Sequence, residues 1–252
     1  MKKRLLLMML AAAPAFTAPG ADFSLSGGGG GLLGGLFTRY TLSGSGAIDD
    51  NPVDVVSTQE INQLNFGGFL FFDAAWAEFS LSIQGGTHTW REKYAADSAE
   101  KTEAQSDTKG TGTEAMIGFT LLGKYPFRLN EQFTLFPLAG LEYQAALFQY
   151  RKTGNRAVYD RTDGKREFDS NGDPYKLFMW NSLLIDIGAG LDFTFFPRLF
   201  LRTELLYGFR LQTPYEIDAL EKIKKMVNAP NPKLAGLTSG PSLRVAVGYR
   251  FR

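Results

Sequence analysis

The 252-residue sequence contains no cysteine and a single histidine. The first absence excludes a disulfide-stapled scaffold and any cysteine-ligated zinc or iron–sulfur site. The second excludes a multi-histidine metal centre. Beyond the N-terminal leader no apolar run reaches 18 residues, so no membrane-spanning helix is written here. Charge of one sign is also missing: 27 Lys and Arg stand against 26 Asp and Glu. With no basic stripe, nucleic acid is not an expected partner. No metal, cofactor or catalytic signature emerges, and the sequence reads as non-enzymatic.

What is present begins with the first residues. Lys2, Lys3 and Arg4 precede the apolar run Leu5–Ala13, and small residues follow through Ala21. Basic head, short apolar middle and small-residue zone are the parts of a secretory signal peptide, taken as residues 1–21. The middle is too short to anchor in a bilayer. The remaining domain, 22–252, carries 24 basic and 26 acidic residues, net −2.

Along that domain the dominant period is two. Eight strands are predicted, near 22–42, 60–72, 76–91, 114–125, 133–150, 180–195, 199–212 and 242–252. In the seventh, Leu199, Leu201, Leu205, Tyr207 and Phe209 alternate with Arg202, Glu204, Gly208 and Arg210. Three connections are tight, around 73–75, 128–132 and 196–198. Four are long and polar, 43–59, 92–113, 151–178 and 213–240, and are expected to be solvated and mobile. The last contains Glu216–Asn228, where Ile217, Leu220, Ile223 and Met226 fall near helical spacing.

Alternation alone also suits a soluble sandwich or a secreted lipocalin-type barrel. Three features favour the inverse arrangement, apolar face outward. The polar face is mostly small: Ser, Gly and Thr. Short and long connections alternate strictly. Aromatics gather near the short turns: Phe71, Phe72, Trp76, Tyr125, Phe127, Phe133, Phe195, Phe196, Tyr249 and Phe251. In lipid every backbone group must be paired, so strands cross only as a closed barrel, girdled by aromatics at the interface. The fold class is therefore all-β: an eight-stranded antiparallel transmembrane β-barrel with short periplasmic turns and long extracellular loops.

The leader, the eight amphipathic strands and the terminal "LRVAVGYRFR" resemble the small outer-membrane β-barrel proteins of Gram-negative-type bacteria, the outer membrane protein W, X and A barrel groups. The likeness implies a bacterial outer-membrane location, contact with outer-membrane lipid and a monomeric barrel. Val245, Val247, Gly248, Tyr249 and Phe251 resemble the signal read by the outer-membrane assembly machinery; Arg252 departs from the usual terminal aromatic.

On the lumenal parity stand Glu78, Asp192, Arg202, Glu204 and Arg250, expected near the periplasmic end. Glu142, Asp186, Arg210 and Arg244 are expected higher. Asp192 and Arg202 should be close cross-strand neighbours. Buried charges must be paired or hydrated, so the set reads as a structural plug or as a polar path. Phe69, Phe136, Leu138, Phe148, Leu184 and Leu206 are expected to line the same lumen. His88 is expected as a solvated residue at the outer rim. The run Gly27–Gly31 lacks the Gly-Lys-Ser/Thr ending of a phosphate loop and reads as a place of close approach in a narrow wall.

Two functions fit these readings. The barrel is a narrow channel or conduit for small or apolar solutes, or it is a mount whose long loops bind host or surface partners. A lipid-modifying enzyme ranks behind both, since it would have to rest on His88 alone.

Overall fold

The computed structural model describes residues 25–48, 51–74, 76–98, 101–153, 156–160, 181–211, 221 and 232–251. Eight long strands run antiparallel: β1 (Leu25–Ile48), β2 (Asn51–Ala74), β3 (Ala77–Ser98), β4 (Lys101–Lys124), β5 (Phe133–Thr153), β6 (Ser182–Thr194), β7 (Leu199–Arg210) and β8 (Lys233–Arg250). Short strands Phe127–Arg128 and Arg156–Asp160 pair with β5. Each long strand pairs with its sequence neighbours, and β1 pairs with β8. The ring is closed and has no edge to satisfy.

The ladder climbs as it goes round. From Gly28 it passes Phe71, Ser80, Thr120, Glu142, Leu184, Arg210 and Thr238, and returns to β1 at Thr38, an offset of ten residues. Eight strands with that stagger require strands tilted by about 35–45° and leave an interior that side chains can fill.

The faces follow the predicted parity. Leu64, Phe66, Leu70, Phe79, Ile83, Phe119, Ile187 and Leu205 are exposed on the outside. Ser82, Gln84, Thr120, Glu142, Asp186 and Arg202 are buried inside. An apolar exterior around a closed, polar and densely filled lumen is the arrangement of a barrel solvated by lipid. At the short-turn end Trp76 meets Tyr125 edge-on at 5.7 Å, Phe133 stacks on Phe193 at 5.0 Å, and Tyr249 meets Phe251 at 5.6 Å. One expected member departs: Phe71 points into the lumen and is buried. It shares the parity of Phe69 and Asp73, not that of Phe72.

The short turns are confirmed. In the turn before β5, Asn130 Oδ1 accepts from the backbone N–H of Gln132 and of Phe133, both at 2.8 Å. Two of the long connections are corrected. β1 and β2 stay paired to Ile48↔Asn51, and β3 and β4 to Ser98↔Lys101. The inward alternation continues there: Tyr40, Leu42, Val53 and Val55 form a buried cluster with Tyr94 packed against it. Backbone ladders and this apolar cluster supply what a solvated loop lacks. β8 likewise begins at Lys233, inside the segment expected as loop. The leader and most of the predicted helix lie outside the described residues; Glu221, which is described, is helical.

The glycine run does sit at a close approach. A Cβ on Gly28 would lie 2.1 Å from Val247 O, and one on Gly30 would lie 1.9 Å from Val245 O. The closing β1–β8 seam therefore admits no side chain at these positions.

Candidate functional site

The predicted lumenal charges assemble at two levels. The lower level is built on Arg202, whose side chain is 1% exposed. It lies on β7, directly opposite Asp192 on β6. Its Nε and Nη2 donate to the two Asp192 oxygens at 2.8 and 2.9 Å. Nη1 donates to Glu78 Oε2 at 2.8 Å, and Nη2 also lies 2.7 Å from Asp73 Oδ2. Glu204 is further off, with Oε1 at 3.8 Å from Nε. The guanidinium also lies against rings, 4.5 Å from the centroid of Phe71 and 5.1 Å from those of Phe136 and Phe200. Arg is suited to this position because one planar group serves several carboxylates while its faces contact aromatics.

Two members of this level escaped the sequence reading. The sequence pattern places Asp73 in a tight turn and gives Lys124 no face. Lys124 Nζ lies 2.6 Å from Asp73 Oδ2, and Ser26 Oγ donates to the same oxygen at 2.8 Å. The usable signal was parity: Asp73 follows Phe69 and Phe71, and Lys124 follows Thr120 and Leu122. Arg250 is half-buried below, 5.1 Å from the Phe200 ring. Glycines leave room for the rings: a Cβ on Gly190 would meet the Phe136 ring at 2.2 Å, and one on Gly248 the Phe200 ring at 2.2 Å.

The middle level is centred on Glu142. Arg244 Nη2 donates to Oε2 at 2.9 Å, while Gln144 and Gln84 donate to Oε1 at 2.9 and 3.3 Å. Arg244 also donates to Ser80 and Thr120, each at 3.3 Å. Asp186 is buried close to Glu142 and Arg244. Beside the middle level, on the side away from the lower one, lies a space of about 40 Å³, bordered by Asn65, Gln84, Glu142, Asp186 and Arg244. That is about the volume one or two waters occupy. Arg210 is not part of this group; it donates to Thr238 Oγ1 at 3.2 Å, higher in the barrel.

The expected apolar lining holds for Phe69, Phe136, Leu138, Leu184 and Leu206, all buried. Phe148 is corrected. A bulge opposite Ala115 and Met116 shifts the β5 register, so that Ala115 faces Phe148 while Met116 faces Ala146. Beyond it Gln149 is the buried residue and Phe148 turns to the outer face. His88 is lumenal but not solvated: it is 3% exposed, with Nδ1 4.0 Å from Glu114 Oε2. Gln63 donates to the same carboxylate. Among the described residues no three His, Cys, Asp or Glu side chains are grouped to hold a metal.

The residues expected to form a C-terminal assembly signal lie on β8 and just after it. Val245, Val247, Tyr249 and Phe251 face outward, and Gly248 lies inward beneath Phe200.

No family model and no curated protein matches the chain. Among solved structures it is similar to the outer membrane protein OprG from Pseudomonas aeruginosa, at 10% identity and TM-score 0.40, over 92% of this chain and 97% of that one. It is similar also to the translocator domain of the autotransporter NalP from Neisseria meningitidis, at 12% identity and TM-score 0.27, over 99% and 96%. A FadL homologue from Pseudomonas aeruginosa is similar at 7% identity and TM-score 0.19, over 95% and 94%. The closed ring and its apolar exterior define the fold of this chain without help from these likenesses.

Proposed function

We propose that this protein is an integral barrel of a bacterial outer membrane that acts as a plugged, surface-displaying mount and not as an axial pore. The leader would export it, and the β8 pattern would engage the assembly machinery. The observation that carries the reading is the lower lumen. Arg202 joins side chains from β2, β3 and β6 across the full bore, and Phe71, Phe136 and Phe200 fill what the charges leave. Solute passage would require breaking several buried, charge-assisted hydrogen bonds. Above the plug, β1–β4 rise well beyond the apolar band as paired strands. They would offer a rigid surface for host or other external partners.

A conduit for small or apolar solutes is the second reading. It is favoured by the apolar lumenal side chains Phe69, Leu138, Leu184 and Leu206, and it needs the Arg202 network to move.

The test is conductance of the refolded protein in planar lipid bilayers, with heat-dependent gel mobility as the folding control. A folded, silent barrel is expected. Reproducible unitary steps from the wild-type chain would overturn the mount in favour of the conduit.

A further inference from the structure

The exterior carries a feature that the plugged lumen does not explain. Above the apolar band a groove of about 620 Å³ crosses the outside of five strands. It follows the ladder line Phe37↔Asn62↔Thr89↔Thr111↔Lys152 and the line just below it, Leu64↔Thr87↔Thr113↔Tyr150. The first line runs from Phe37, at the edge of the apolar band, to Lys152, and the second from Leu64 to Tyr150.

Behind the hollow the inner face of the wall is closely packed. β4 presents Gly110 and Gly112 to the lumen. A Cβ on Gly110 would lie 2.5 Å from the Trp90 ring, and one on Gly112 would lie 2.3 Å from His88 Nε2. With no side chain there, the Trp90 and His88 rings lie directly against the inner side of the β4 backbone.

The next two ladder lines are charged. One runs Arg39↔Glu60↔Arg91↔Lys109, and the other adds Lys93 and Asp107. With Lys152 this makes five cations against two carboxylates, all outward. Glu60 lies 3.6 Å from Arg39, and Asp107 accepts from Arg91 Nε at 2.8 Å. The hydrogen bond from Arg91 holds the Asp107 carboxyl below its ordinary pKa. The surface therefore changes, within a few residues along each strand, from apolar rows through a threonine-lined hollow to a cationic rim.

We propose that this groove binds a phosphorylated lipid of the outer leaflet, with acyl chains along the apolar rows and phosphate at Lys109 and Lys152. The inference rests on the outer-membrane reading above. Charge complementarity selects the ligand: a zwitterionic lipid gains little from a rim of net positive charge, and a free phosphate gains nothing from the apolar rows. The threonine hydroxyls supply donors for the oxygens between phosphate and acyl chain.

The probe is diphosphorylated lipid A, titrated into the refolded protein in dodecylmaltoside micelles. The readout is the temperature at which the heat-sensitive gel band is lost. Wild-type protein is expected to be protected by this lipid, and neither by the same lipid stripped of its phosphates nor by inorganic phosphate. Lys109→Glu with Lys152→Glu, both exposed, should weaken the apparent affinity at least tenfold. Thr89→Trp, which fills the hollow, should do the same. Equal protection by the dephosphorylated lipid, protection by inorganic phosphate, or unchanged titration of both variants would overturn the site while leaving the barrel intact. A chain that gives no heat-sensitive folded band would overturn the barrel reading and the site with it.

Discussion

Arg202 and Asp192 face each other across the β6–β7 ladder and are joined by two parallel hydrogen bonds, 2.8 and 2.9 Å long. This pair is the first contact of the lower plug, and Arg202 is its hub. Asp73, Glu78, Asp192 and Glu204 surround it, with Lys124 as the second buried cation. Arg202→Leu would leave those carboxylates with Lys124 and the half-buried Arg250 below them. Breaking a buried network from one side costs about 3–5 kcal/mol. Urea-driven refolding in lipid vesicles should show a loss of that size. An unchanged unfolding midpoint would mean that the plug contributes nothing.

The same cluster makes an opposite prediction for Glu204. Its two carboxylate oxygens are buried, and its contact to Arg202 is long. Glu78 is a close acidic neighbour. Glu204→Gln removes a poorly compensated buried charge and keeps the shape. It should be neutral or stabilising by about 1 kcal/mol, since an unpaired buried charge is a net cost. Asp192→Asn, which loses the bidentate pair, should destabilise. Equal losses for both variants in the same refolding assay would show that Glu204 is as well paired as Asp192.

The fold was legible because lipid imposes one rule on every strand: each side chain faces out or in, and the two sets differ in polarity over the whole length. Leu205 and Arg202 could be assigned from parity alone. The plug was half legible. Arg202, Asp192 and Glu78 lie within clean alternation, whereas Asp73 and Lys124 lie at strand ends, where a turn and a strand look alike. Phe148 was misplaced because a bulge inverts parity and leaves no residue signature at Leu147. The outer ladders were read as loops because Ser, Thr, Asp and Lys predominate there. Those residues meet water, so composition ceases to mark strand, although Val53 and Val55 still alternate. The exterior groove was not legible at all, since it arises from registers joining five strands.

The outward parity yields a depth-dependent prediction. Leu205 pairs with Leu243 and Ala189, well above the aromatic belt, and is 60% exposed. Leu201 pairs with Val247 and Phe193, nearer that belt. Leu205→Arg should cost about 2–4 kcal/mol and Leu201→Arg about 1 kcal/mol, because the penalty for a lipid-facing arginine falls from midplane to interface. Refolding equilibria in vesicles measure both. A larger loss at Leu201 would move the membrane midplane toward the short turns.

Closure depends on the seam between the first and last strands. Gly28 allows Val247 O and the Phe71 ring within 2.7 Å of where its Cβ would be, so Gly28→Val cannot be absorbed by a side-chain rotation alone. The variant should fail to give the heat-sensitive compact band. Gly31→Val, where the nearest atom to the added Cβ is Gly67 O at 3.8 Å, should assemble normally. Normal assembly of both variants would mean that the seam is looser than its register implies.

The outer ladder separates inside from outside between adjacent residues. Val55 is 1% exposed within the Tyr40, Leu42 and Val53 cluster, while Val56 is 41% exposed on the opposite face. Val55→Asp places a carboxylate among apolar side chains and should destabilise the top of β1 and β2 by about 2 kcal/mol. The membrane portion keeps its own ladder, so the heat-sensitive band should persist. Amide exchange over 40–44 and 53–58 should then accelerate about thirtyfold, the rate equivalent of that energy for local opening. Val56→Asp should leave exchange unchanged. If Val56→Asp were the variant that frayed the ladder, the inward parity would have reversed above the membrane. The cationic rim, which depends on that parity at Arg39, Arg91 and Lys109, would then face the lumen.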